Sequence, residues 1–205
     1  FLKPDTMKLR EFIKSFVKYG DSSDIILKID RGRIRPSKHL ADSLSSMLKG
    51  NDEFVMIDDQ KVVYENAISL AKKATKENKK VLIIEGGPGT GKSVVAINLL
   101  VHLTKLGLLS QYVTKNAAPR AVYESKLKGS FRKSEISNFF TGSGGFIKSD
   151  SGTYDALIVD EAHRLNAKSG MFKNLGENQI KEIINASKFS IFFIDENQKV
   201  AIHDI

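Results

Sequence analysis

The sequence predicts an α/β fold in which a mostly parallel sheet lies between layers of helix, preceded by a small αβ leader. Three observations predict it. From Asp59 onward short apolar runs alternate with stretches of helical periodicity, the pattern of strands joined by crossover helices. Two of those runs lead straight into turns, one rich in glycine and one acidic. Residues 1–58 follow a different pattern, so the expected division is a leader over 1–58 and a main domain over 59–205.

In the leader, Leu9, Phe12, Ile13, Phe16 and Val17 recur at helical spacing, and Gly20 is placed to end that helix. Asp24–Ile29 reads as a short strand, followed by the basic stretch Arg31, Arg33, Arg35 and Lys38 around Pro36. Those arginines could clamp phosphate or decorate a turn. Leu40, Leu44, Met47 and Leu48 then mark one face of a second helix between Ser37 and Gly50. In the main domain, Val63, Ala67, Leu70 and Ala74 line a helix, Val81–Glu85 reads as a buried strand, and Val94–Leu106 is a helix stopped by Gly107. The alternation continues with strands at Gln111–Thr114, Ala156–Asp160 and Ser190–Asp195, and helices at Ala117–Leu127 and Ile180–Ala186. Two stretches, Gly129–Thr153 and Leu165–Gln179, are rich in Gly, Ser, Lys and Asn and read as loops or insertions.

Composition narrows the function. The 205 residues are 41% hydrophobic and 27% charged, the balance of an ordinary globular protein. Cysteine is absent, which excludes disulfides and thiolate metal sites and leads us to expect a cytoplasmic protein. The longest apolar run, Val94–Leu103, is interrupted by Asn98 and His102 and falls far short of the roughly 20 residues that span a bilayer. No membrane association is expected. The net charge of +8 favours a polyanionic partner, or reflects a solvated basic surface.

Gly86-Gly87-Pro88-Gly89-Thr90-Gly91-Lys92-Ser93 fits the pattern G-x-x-x-x-G-K-S/T between a strand and a helix. Glycines let the backbone wrap a triphosphate with its N–H groups turned inward, and the following helix adds its positive end. In this pattern Lys92 bridges the β and γ phosphates, and Ser93 offers its hydroxyl to Mg²⁺, a hard cation that prefers oxygen. The strand Ala156–Val159 runs into Asp160-Glu161-Ala162-His163. A carboxylate at a strand's C-terminal end faces the same crevice as the phosphate loop, so Asp160 is expected to hold the metal. Glu161 is the candidate general base for the attacking water. His163 reads equally as a packed core residue or a coupling residue. ATP and Mg²⁺ are thus the expected cofactors, and hydrolysis the expected reaction.

Further segments resemble one family. Tyr112-Val113-Thr114-Lys115-Asn116-Ala117-Ala118 is similar to the motif after the second strand of superfamily 1 helicases. That likeness implies that Thr114 and Asn116 meet single-stranded nucleic acid. Phe192-Phe193-Ile194-Asp195-Glu196-Asn197-Gln198 is similar to the third motif of those helicases, which makes Gln198 a sensor of the γ phosphate. Asp58-Asp59-Gln60 resembles their upstream glutamine motif, which gives Gln60 the adenine edge, where an amide can donate and accept at once. Taken together, GGPGTGKS, VTKNAA, DEAHRL and FFIDENQ most closely resemble the Schlafen-type (group 3) helicase domain family of bacterial P-loop ATPases.

The resemblance implies a P-loop NTPase with a RecA-like three-layer sandwich, the first motor domain of a DNA or RNA helicase or translocase. It also implies a second RecA-like domain C-terminal to this chain, so the sequence is expected to be a piece of a longer protein and a weak ATPase by itself. Two alternatives stay open. One is an ATP-dependent regulatory switch or defence ATPase that separates no strands. The other, a small-molecule kinase, fits poorly with adjacent Asp160 and Glu161. The basic cluster Lys126, Lys128, Arg132 and Lys133 around Phe131 could stack on and neutralise a strand, or be a solvated face.

Overall fold

The computed structural model describes residues 6–16, 44, 46–48, 56–128, 131–170 and 174–195. The strand expected at Asp24–Ile29, the basic stretch from Arg31 to Lys38, and Gln198 lie outside them. The chain divides into two compact units, Phe1–Ile34 and Arg35–Ile205. In the first, helix α1 (Thr6–Phe16) places Phe12 and Phe16 one turn apart with their rings edge to face at 5.1 Å, as helical spacing requires.

The second unit runs α2 (Asp58–Lys73), β1 (Lys80–Glu85), α3 (Lys92–Lys105), β2 (Ser110–Val113), α4 (Ala117–Leu127), α5 (Lys133–Phe139), β3 (Phe140–Thr141), β4 (Tyr154–Val159), α6 (Gln179–Ala186) and β5 (Ser187–Ile194). Short 3₁₀ turns lie at Ser143–Phe146 and Ala162–Arg164. The strands form a five-stranded sheet in the order β1-β5-β4-β2-β3, and every pairing is parallel. It is an α/β domain with helices on the sheet's faces, consistent with a RecA-like sandwich.

Strand periodicity sends successive side chains to opposite faces, and the two faces bury different helices. Ala156, Ile158, Phe189, Ile191 and Phe193 pack with Val95, Leu99 and Leu103 of α3 and Ala67 and Ala71 of α2. Leu157, Val159 and Phe192 pack on the other side with Ile183 and Ala186 of α6. Tyr64 of α2 meets His102 of α3 edge to face at 5.7 Å. Gly107, at φ +78°, ends α3 in the left-handed conformation that glycine adopts without strain. The connections leaving β1 and β4 therefore travel to opposite faces, and a crevice opens at the carboxyl ends of the strands.

The structure departs from the sequence expectations in three places. Gly129–Thr153 is not all loop: α5, β3 and a 3₁₀ turn lie within it. These elements are short, and α5 buries only Ile136, so no periodic apolar pattern marks them. Among the described residues β1 is not a buried strand but the edge of the sheet, with Val81 43% and Ile83 62% exposed. Its apolar composition reads as two-sided burial, although only Leu82 and Ile84 turn toward the core. Finally, α6 passes into β5 without a loop, so β5 begins at Ser187, three residues before the expected start. Lys79 marks this junction by donating to the carbonyls of Ile184, Asn185 and Ser187 at the end of α6.

Candidate functional site

The loop Gly86–Gly91 joins β1 to α3 and is tied to the sheet by Gly86 N–H donating to Ile194 O at 3.2 Å. Gly91 is the N-cap of α3 at φ 84°. A Cβ there would also lie 2.2 Å from Gln60 Nε2, so a side chain would be strained by conformation and would displace the Gln60 amide. At Gly87 and Gly89 a Cβ would meet nothing within 4 Å, which leaves the outer surface of the loop open to a ligand. Thr90 Oγ1 closes the turn by donating to Gly87 O at 2.9 Å.

Lys92 begins α3 and folds back over the loop. Its ammonium donates to Gly86 O, to Gly87 O at 2.7 Å and to Asp195 Oδ2 at 3.4 Å. Asp195, at the end of β5, is only 2% exposed. The next residue, Ser93, donates from Oγ to Asp160 Oδ2 at 2.7 Å. Asp160 is buried beyond the last residue of β4 and takes two more donors, Tyr112 OH on Oδ2 at 2.5 Å and Glu161 N–H on Oδ1 at 2.9 Å. Burial, followed by the nearby Asp160, pushes the Tyr112 phenol well above its ordinary value, so it is a neutral donor at all physiological pH.

Glu161 is the one described non-glycine residue in the left-handed region, at φ 51° and ψ 45°. Its Oε2 is buried without a hydrogen-bond partner and lies 3.6 Å from Arg164 NH1. Left-handed backbone and a buried oxygen without a hydrogen bond on one residue make Glu161 a candidate for a functional role. His163 accepts the Asp195 N–H on Nδ1 at 3.2 Å, which puts its proton on Nε2 when neutral. Burial holds its pKa below the usual histidine range, outweighing the pull of Glu161 and Asp195. His163 is thus both buried and a link between the Asp160–Arg164 turn and the end of β5.

The other expected site residues are placed differently. Gln60 Nε2 donates to Thr90 O at 2.9 Å and Oε1 accepts from Ile57 N–H at 3.3 Å, so its amide is engaged against the glycine loop. A cavity of about 210 Å³ lies beside it, lined by Gln60, Glu85, Thr90, Lys92 and Phe193 among others. Thr114 is 1% exposed, and its Oγ1 accepts from Asn116 N–H at 3.2 Å. Asn116 caps α4 by accepting from Ala118 N–H at 3.1 Å. These two residues form a turn beside Asp160, and their hydrogen bonds run within the turn and to Ala118 and Thr141 rather than to Lys92 or Ser93. A larger concavity of about 410 Å³ lies between α4 and α5, lined by Glu124, Lys128, Phe131 and Lys133 among others. It sits at the far end of α4, an 11-residue helix about 16 Å long, so the basic cluster does not continue the Thr114–Asn116 turn.

Ser93 Oγ and Asp160 Oδ2 are hard oxygen donors on adjacent elements and suit Mg²⁺ rather than a softer ion. Among the described residues no cluster of three or more His, Asp or Glu could hold a metal. A cation here would need phosphate oxygens to complete its shell, which is how Mg²⁺ accompanies nucleotides. The sequence did not point to Tyr112, because its contact with Asp160 depends on the pairing of β2 with β4. Asp195 was visible only as part of a motif, without a role.

Fold and crevice together define an open-sheet α/β domain with its site at the carboxyl ends of the strands. The chain belongs to the Schlafen group 3, DNA/RNA helicase domain family, whose model matches residues 79–205. That membership carries a helicase-like nucleotide-binding role. The chain is also similar to the uncharacterized protein YPL245W of Saccharomyces cerevisiae, 26% identical over 132 residues, a match covering 58% of this chain and 29% of the yeast protein. The chain thus corresponds to less than a third of that relative's length. Among the described residues no helix is long and apolar enough to cross a membrane.

Proposed function

We propose that this chain is the ATP-binding and ATP-hydrolysing first motor domain of a superfamily 1-like helicase or translocase. The observation that carries this reading is the bond from Ser93 to buried Asp160 at 2.7 Å, with Lys92 just before one partner and Glu161 just after the other. Backbone N–H groups of the Gly86–Gly91 loop and the N-terminus of α3 cradle the phosphates of ATP. Lys92 exchanges its carbonyl and Asp195 partners for phosphate oxygens. Ser93 and Asp160 hold Mg²⁺, which when bound neutralises charge on the β and γ phosphates. Glu161 orients the attacking water and takes its proton on the carboxylate, whose buried Oε2 faces Arg164 at 3.6 Å.

Gln60 steadies the glycine loop and lies beside the cavity that would take the base; its adenine contact requires its amide to leave Thr90. Of the two residues expected to meet single-stranded nucleic acid, Thr114 is buried and shapes the turn, which leaves Asn116 as the proposed direct contact, and Gln198 is the proposed γ-phosphate sensor. A second RecA-like domain is proposed to complete the site in the whole protein, in a cytoplasmic setting that suits a chain without cysteine. One observation favours the alternative of an ATP-dependent switch: Lys92 is bonded to Asp195, so nucleotide binding would alter the end of β5 without any hydrolysis.

Two variants test the assignment by ATP affinity and phosphate release. Glu161→Gln should keep ATP affinity and lower turnover by about 100-fold or more, whereas Lys92→Ala should lose both. Full turnover in the Glu161 variant would reject it as the base, and unchanged affinity in the Lys92 variant would reject the loop as the phosphate site. Stimulation of turnover by single-stranded nucleic acid in the full-length protein separates motor from switch.

A further inference from the structure

We propose that Tyr112 is a positioning residue for the metal carboxylate: its hydroxyl, donated to Asp160 Oδ2 at 2.5 Å, fixes the plane in which Asp160 meets a divalent cation. The inference rests on the reading of the crevice as a MgATP site. Tyr112 pairs with Ile158 in the β2–β4 register, so its ring shares a sheet face with Ile158 and, two residues on, Asp160. The ring is 2% exposed. It is wedged edge to face against Tyr123 at 5.9 Å and Phe140 at 5.8 Å, and those two rings stack on each other at 5.4 Å. A phenol locked in this way delivers its hydroxyl to one point.

Asp160 Oδ2 has two side-chain donors, Ser93 and Tyr112. A cation that engages Ser93 Oγ takes up the lone pair of that hydroxyl and changes its bond to Asp160. Tyr112 is then the fixed side-chain donor on Oδ2, while Glu161 N–H holds Oδ1. A terminal carboxylate torsion is broad and roughly two-fold, so without the phenol the plane is held only by Glu161 N–H on Oδ1 and by the Ser93 hydroxyl that the cation also engages. Partners that orient a metal ligand are typically worth ten- to a hundredfold in metal affinity.

The test compares the full chain with its Tyr112→Phe variant, which keeps the ring and removes only the hydroxyl. Three quantities are measured: the unfolding midpoint, the affinity for ATP in EDTA, and the Mn²⁺ concentration that half-saturates the nucleotide complex, read by electron paramagnetic resonance. The unfolding midpoint should fall, because a buried hydrogen bond to a carboxylate is lost, the affinity for ATP in EDTA should be unchanged, and half-saturation should need about tenfold more Mn²⁺. An unchanged Mn²⁺ titration in a folded, ATP-binding variant overturns the proposal and leaves the ATP-site reading intact. Failure of the parent chain to bind nucleotide with metal would instead remove the reading beneath it. Should the variant not fold, fluorotyrosine-labelled parent protein decides: a buried tyrosine resonance should shift as Mg²⁺ is titrated into the nucleotide complex, and no shift sinks the idea.

Discussion

Glu161 offers a test in which the sign of a stability change, rather than its size, carries the information. Its backbone lies at φ 51°, ψ 45°, where a Cβ costs about 1–2 kcal/mol. Glu161→Ala and Glu161→Gly both remove the carboxylate, its contact with Arg164 and the unpartnered Oε2. They differ only in the Cβ. At an ordinary position glycine is less stable than alanine by about 0.5–1 kcal/mol, because its unfolded chain has more freedom to lose. Here the relief of left-handed strain opposes that term and exceeds it, so Glu161→Gly should be the more stable of the pair by about 0.5–1 kcal/mol. Urea unfolding followed by far-ultraviolet circular dichroism measures this as a higher midpoint at equal slope. Both variants should lack turnover. An alanine variant more stable than the glycine one would show that Glu161 carries no strain, and the argument that it is held in place for catalysis would fall with it.

Two more outcomes follow from the same geometry. Gly91→Ala should destabilise the second unit by about 2–4 kcal/mol, combining left-handed strain with loss of the Gln60–Thr90 hydrogen bond; adding Gln60→Ala, which removes the amide 2.2 Å from the new Cβ, should recover about 1 kcal/mol in a double-mutant cycle. A strictly additive pair would deny the contact. His163, with its folded pKa depressed by burial, contributes stability that is present above its unfolded pKa of about 6.5 and is lost as pH falls toward the lower folded value. His163→Asn should abolish that part of the pH dependence, seen as the difference between parent and variant unfolding midpoints from pH 7.5 to 5, while the same trend from His102 remains in both. Identical profiles for the two proteins would contradict the assignment.

Which features could be read from the sequence follows from how local their causes are. The phosphate-loop candidate was legible because Gly89 and Gly91 take positive φ and the adjoining strand and helix are strongly apolar. Asp160 was legible as an acid ending an apolar strand. α5 and β3 were not, since seven and two residues bury too little to impose a period. The edge position of β1 was not legible either, because strand order is a property of the whole sheet. Gln60 shows the intermediate case. The spacing that makes Gln60 a helix-start residue was visible, whereas its hydrogen bond to Thr90, thirty residues away, is set by how α2 docks on α3. Tyr112 lies wholly on the non-local side.

The sheet order also decides how the crevice would recognise the proposed nucleotide. β5 lies between β1 and β4, and strands are about 4.8 Å apart, so the glycine loop and Asp160 are held roughly 10 Å apart, with Asp195 between them. Among the described residues, two cations in this span, Lys92 and Arg164, face three carboxylates, Asp160, Glu161 and Asp195. The net charge of +8 therefore does not reside in the crevice. A polyphosphate cannot be drawn here by excess positive charge; it must be held by oriented backbone N–H groups, by Lys92 released from Asp195, and by a divalent cation that offsets Asp160. Such short-range, directional binding is weakly screened by salt, whereas the basic surface elsewhere acts over a Debye length and is strongly screened. Under the proposed reading, a nucleotide's phosphates would be held by short-range, directional contacts in the crevice, whereas the basic surface would act on a strand's phosphates at longer range.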